Sequence, residues 1–103
     1  MHRIEETEMP KGYVIAHATV TDAEKWKQYA AKADIAIDKH GGKPLVRGGR
    51  CEIIEGKGAT RNVVIEFANY DAALSYARSQ EYAEAKALRV GAGSLDMTVV
   101  EGV

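Results

Sequence analysis

Along residues 13–20 the side chains alternate in a period of two: Val14, Ala16, Ala18 and Val20 fall on one side, and Tyr13, Ile15, His17 and Thr19 on the other. That alternation predicts a strand whose two faces both carry apolar groups. Thr21-Asp22-Ala23-Glu24 then reads as a capping box, a hydroxyl followed three residues later by a carboxylate. The predicted helix runs to about His40, with Trp26, Ala30, Ala33 and Ile37 as its apolar stripe and Tyr29 beside it. Gly41-Gly42 stops it. Residues 43–55 read as two short extended pieces, Leu45-Val46 and Cys51 to Ile54, around a bend at Gly48-Gly49. Gly56-Lys57-Gly58 is a turn. Residues 62–67 form the cleanest strand, with Val63, Ile65 and Phe67 opposed to Val64 and Glu66. Asn69 caps a second helix to Tyr76 or Ala77, and Ser79 caps a further stretch over 80–88. Gly91 and Gly93 end it, and Leu95, Met97 and Val99 mark a last strand.

The order is strand, helix, strand, strand, helix, strand. This is the α+β, ferredoxin-like βαββαβ plan, a four-stranded antiparallel sheet with helices on one face. The other face would then expose a wide apolar patch, which monomers rarely tolerate. A second copy packed sheet to sheet is the expected remedy, so the chain is read as a homodimer.

Composition narrows the picture. The chain has 103 residues, 46% hydrophobic and 28% charged, which suits one globular domain over 12–103 behind a disordered leader, 1–11. Fourteen Lys and Arg nearly balance fifteen Asp and Glu. No basic footprint for nucleic acid or anionic lipid follows from that balance. A single Cys excludes an intrachain disulfide framework. No apolar run approaches a membrane span and no signal peptide is visible, so a cytoplasmic protein is expected.

The ordered set Gly12-Tyr13, Thr21-Asp22, Tyr29, Gly41-Gly42, Arg47-Gly48-Gly49, Glu55-Gly56, Val64-Ile65-Glu66-Phe67, Ser79-x-x-Tyr82 and Arg89 resembles the domain-of-unknown-function family numbered 1330. The resemblance covers roughly residues 12–102. It implies small bacterial proteins of the dimeric α+β barrel type, a class that includes cofactor-free monooxygenases, haem-degrading enzymes and isomerases. Fold alone does not choose among these activities.

Candidate chemistry is sparse. His17, mid-strand, reads either as a general base or haem or metal ligand, or as a hydrogen-bonded interface histidine. Arg47, ahead of two glycines, is placed to fork onto a carboxylate, from a ligand or from Glu55 or Glu66. Glu66 needs a cation or a proton if its face is enclosed. Arg89 ends a helix and can neutralise its carbonyls. Tyr13 and Tyr82 combine an apolar body with a hydroxyl handle suited to a pocket, whereas Trp26 and Tyr29 read as core. Ser79 lacks a nucleophile elbow, Cys51 reads as a small buried hydrophobe, and no phosphate-binding glycine motif, zinc motif or calcium loop is present. No cofactor and no metal site is assigned.

Two readings follow. In the first, a dimeric barrel binds or transforms a small organic molecule between sheet and helices. His17 is then the proton shuttle, Glu66 the base or counter-charge, Arg47 the anion contact and Tyr82 the orienter, with Tyr13 and Arg89 as further binding residues. In the second, the chain is a non-catalytic structural or regulatory dimer module.

Overall fold

The computed structural model describes residues 9–103. Residues 1–8, most of the expected leader, lie outside the described residues. The elements are β1 (Gly12–Val20), α1 (Ala23–Lys39), β2 (Lys43–Arg47), β3 (Arg61–Phe67), α2 (Tyr70–Ala77), α3 (Gln80–Ala87) and β4 (Gly93–Glu101). They form one antiparallel sheet in the order β2-β3-β1-β4. This is the ferredoxin-like arrangement that the alternation predicts.

Local chemistry accounts for most boundaries. The α1 cap is Asp22 rather than Thr21, its carboxylate accepting from Lys25 N. The backbone N–H groups of Thr21 and Asp22 both donate to Ala92 O, at 2.8 and 3.1 Å, which ties the start of α1 to the segment ahead of β4. At the far end Gly41 takes φ +77°, a left-handed turn that lets Gly42 N reach back to Ile37 O at 2.8 Å. Asn69 and Ser79 cap α2 and α3 by accepting from Ala72 N and Tyr82 N. The Ser79 hydroxyl also donates to Tyr76 O at 2.7 Å, tying the end of α2 to the start of α3.

The second extended piece expected near Cys51 and Ile53 is not a strand. Residues 48–60 form a long connection without ladder pairing. Gly48, at φ +69°, turns the chain out of the sheet after its N–H has donated to Asn62 O. The connection carries Ile53 and Ile54 into solvent, and Cys51 is exposed rather than buried.

The registers set out both faces of the sheet in rows. On the helix side run Pro44, Ile65, Val14, Val99; then Arg47, Val63, Ala16, Met97; then Arg61, Ala18, Leu95. On the open side run Lys43, Glu66, Tyr13, Val100; then Val46, Val64, Ile15, Thr98; then Asn62, His17, Asp96. A register shift between Pro44 and Val46 absorbs Leu45.

The core lies on the helix side. Val14, Ala18, Ile65 and Phe67 pack there with Trp26, Tyr29, Ala33, Ala36 and Ile37 of α1 and with Tyr76, Tyr82 and Ala85 of α2 and α3. Phe67 stacks on Tyr76, which tilts against Tyr82, which meets Tyr29 edge-on, with Trp26 at the end of the series. No described helix is long and apolar enough to cross a membrane.

Candidate functional site

Close packing normally leaves few voids larger than a water molecule. Here α1 packs chiefly on α3, while α2 lies nearest the strands. Opposite the sheet α1 presents the short side chains Ala30 and Ala33, which do not span the gap. The result is a cavity of about 60 Å³ between α1 and the sheet. Its apolar wall includes Val14, Val63, Ile65 and Met97 from the strands, facing Trp26, Tyr29 and Ile37 from α1. Three charged side chains line it as well: Asp34, Arg47 and Arg61.

Arg47 forms an ion pair with Asp34 of α1 through Nη2 and Oδ2. This replaces both partners the sequence suggested. Glu66 is on the opposite face of the sheet, and Glu55 lies in the long connection. Arg61 faces the helices two residues before Val63, and its guanidinium lies against Gly48, where an added Cβ would collide with Nη1. Among the described residues no carboxylate comes within salt-bridge distance of Arg61.

Behind the α1 wall the Tyr29 and Tyr82 hydroxyls are 3.0 Å apart. Burial, followed by the neighbouring Tyr82, pushes the Tyr29 hydroxyl well above its ordinary pKa, and burial does the same to Tyr76. These groups stay protonated across the physiological range. Arg89 lies over the Tyr29 and Trp26 rings, its guanidinium carbon 5.2 and 5.8 Å from their centroids. Its Nε is buried without a hydrogen-bond partner among the described residues.

The six residues singled out from the sequence divide between the two faces. Arg47 lines the cavity. Tyr82 and Arg89 support its α1 wall from behind. His17, Glu66 and Tyr13 lie on the open face, so the sheet separates His17 and Glu66 from Arg47. His17 Nδ1 meets Asn62 Oδ1 at 2.7 Å, and the Tyr13 hydroxyl donates to Glu66 Oε2 at 3.2 Å. Partial burial and the Glu66 carboxylate both raise the Tyr13 pKa. Asn62 Nδ2 also donates to Cys51 Sγ at 3.1 Å. No three His, Cys, Asp or Glu side chains come together as a metal site among the described residues.

Asp34 and Arg61 are the site residues that sequence reasoning missed. Arg61 had a signal: it shares the i, i+2 face of Val63, Ile65 and Phe67, and was lost by starting the strand one residue late. Asp34 had none beyond its place one residue from the Ala33 stripe position.

Known structures support this architecture. The RPA0582 protein of unknown function from Rhodopseudomonas palustris superposes with a TM-score of 0.70 at 14% identity, covering 99% of this chain and 95% of that one. SnoaB, a cofactor-independent oxygenase from Streptomyces nogalater, gives 0.62 at 9% identity over 88% and 91% of the two chains. A dimeric protein of unknown function with a ferredoxin-like fold from Bacteroides fragilis gives 0.53 at 16% identity over 88% and 95%. At these identities the likeness establishes the fold alone. Comparison with functionally curated proteins finds no match. Residues 11–103, which hold the described strands and helices and the described cavity wall, match the model of the domain of unknown function DUF1330, and the chain belongs to that family.

Proposed function

We propose that the protein is a self-associating barrel that binds a small, largely apolar molecule between α1 and the sheet. The observation that carries this reading is the cavity itself, an apolar chamber in a small core with charged side chains among its lining residues. That SnoaB, built on the same fold, is an oxygenase supports a small-molecule role for the chamber. The buried tyrosines contribute shape and hydrogen-bond donors. Asp34, the cavity's carboxylate, is engaged by Arg47, so binding rather than proton transfer is the task these residues suit.

His17, Glu66 and Tyr13 belong in this reading to self-association. They flank the apolar row Val46, Val64, Ile15, and the pairs His17–Asn62 and Tyr13–Glu66 satisfy polar groups that a second sheet would cover. Exposed Leu45, Val46, Ile53, Ile54 and Val100 extend the apolar surface. The dimeric Bacteroides fragilis relative of the fold supports this arrangement.

The test is capture. Protein incubated with cell extract, washed and analysed by mass spectrometry should retain one apolar small molecule, and the cavity-filling variant Ala30→Phe should not. Retention of nothing, together with no change in Trp26 emission on adding short apolar probes, would remove the reading.

A further inference from the structure

Resting on the binding reading above, we propose that the ligand is a short aliphatic monocarboxylate and that Arg61 is the residue that receives its carboxylate. Arg47 and Asp34 neutralise each other, so the three charged residues of the lining sum to a single net positive charge, which is that of Arg61. A half-buried guanidinium beside an apolar chamber has lost part of its hydration, and among the described residues it has no carboxylate to replace it. Its planar fork matches a carboxylate in two parallel hydrogen bonds.

The single net charge selects among anions. A phosphate monoester would bring roughly a second negative charge toward Asp34, whereas a monocarboxylate balances the lining charge. The chamber selects the body of the ligand. Its about 60 Å³ is several times the roughly 10–15 Å³ that one water requires, yet well below the roughly 150 Å³ that encloses benzene. A straight or branched aliphatic tail fits that space, and a fused ring system does not. Gly48 completes the arrangement, since any side chain there would displace the guanidinium that rests on it.

Trp26 lines the chamber and is the sole tryptophan of the chain, so its emission reports occupancy directly. The experiment titrates the whole protein with butanoate and with butanamide, its uncharged counterpart. The expected result is roughly tenfold or greater preference for butanoate, the size of a charge-assisted hydrogen bond. In Arg61→Gln the preference vanishes while butanamide still binds, and in Arg61→Lys it is partly kept. Equal binding of the two probes by the wild-type protein overturns the carboxylate assignment and leaves the chamber intact as a binding site. Loss of the preference in Arg47→Gln but not in Arg61→Gln moves the anion contact to Arg47 and overturns the role of Arg61. No response of Trp26 to either probe overturns the binding reading and this inference together. The wild-type comparison decides the ligand class even where a variant fails to fold.

Discussion

The hydroxyls of Tyr29 and Tyr82 meet at 3.0 Å across the packing of α1 on α3. Each is the other's hydrogen-bond partner in a buried setting, so removing one strands its mate. Tyr82→Phe is expected to cost about 1–2 kcal/mol of stability, the penalty of a buried hydroxyl left without a partner. Chemical denaturation of the variant beside the wild type measures it.

The same pair makes the fold sensitive to alkali. The folded-state pKa of Tyr29 is raised above the ordinary tyrosine value of 10.0, mainly by burial. A raised pKa means that the protonated form is favoured by folding, so its contribution is complete below about pH 10 and declines as pH climbs toward the folded value. Absorbance titration at alkaline pH should show Tyr29 and Tyr76 ionising late and together with unfolding. Five tyrosines titrating as exposed phenols in still-folded protein would contradict this.

Glu81 gives the opposite dependence. A hydrogen bond from Lys39 Nζ, with His40 on its other oxygen, lowers its carboxyl to about 2. A depressed carboxyl contributes fully above about pH 4.5 and loses its effect as pH falls through about 2. In Glu81→Gln the link between the end of α1 and the start of α3 should weaken at neutral pH and be indifferent near pH 2. Thermal melts of both proteins at the two pH values make the comparison. The groups are solvent-accessible, so high salt should narrow the difference.

Arg47 and Asp34 are half exposed as a pair, with side-chain accessibilities of 50% and 42%. Exposed ion pairs contribute at most about 1 kcal/mol, so Arg47→Gln should melt close to the wild type. A large loss of stability would show instead that the residue holds α1 over the sheet.

Ser79 occupies the junction of α2 and α3, accepting from Tyr82 N and donating to Tyr76 O. Ser79→Ala should cost about 1 kcal/mol, seen as a melting point lower by roughly 4–8 °C in a chain of this size. Ser79→Asp should recover only the accepting half of that role, since a carboxylate caps Tyr82 N but cannot donate to Tyr76 O.

These caps were legible in the sequence because they are local: Asn69 and Ser79 act on residues three positions away. The strands were legible because a half-buried sheet imposes a period of two. What escaped was set by pairing between distant segments. The face to which Arg47 points depends on the register shift between Pro44 and Val46, and a shift of one residue reverses every side chain beyond it. Its partner Asp34 comes from α1, with no spacing rule to announce it. The division of His17 and Glu66 from Arg47 was half visible, since His17 alternates with Ala16 and Ala18 and Glu66 with Ile65 and Phe67. Only the ladder connects those alternations to one side of the sheet.

The open face offers the most decisive measurement. Ile15 sits at the centre of the row Val46, Val64, Ile15, Thr98, and its neighbours in sequence, Val14 and Ala16, are buried on the other side. A carboxylate at Ile15 therefore burdens a sheet-to-sheet interface and leaves the protomer core untouched. Wild-type protein in sedimentation should run at twice 11.2 kDa or a higher multiple, and Ile15→Glu should fall toward the single-chain mass. Its circular dichroism should stay that of folded protein, and Trp26, on the far side of the sheet, should keep its emission. Wild-type protein sedimenting as one chain would show that the apolar row is tolerated in water and that self-association is not how this sheet is completed.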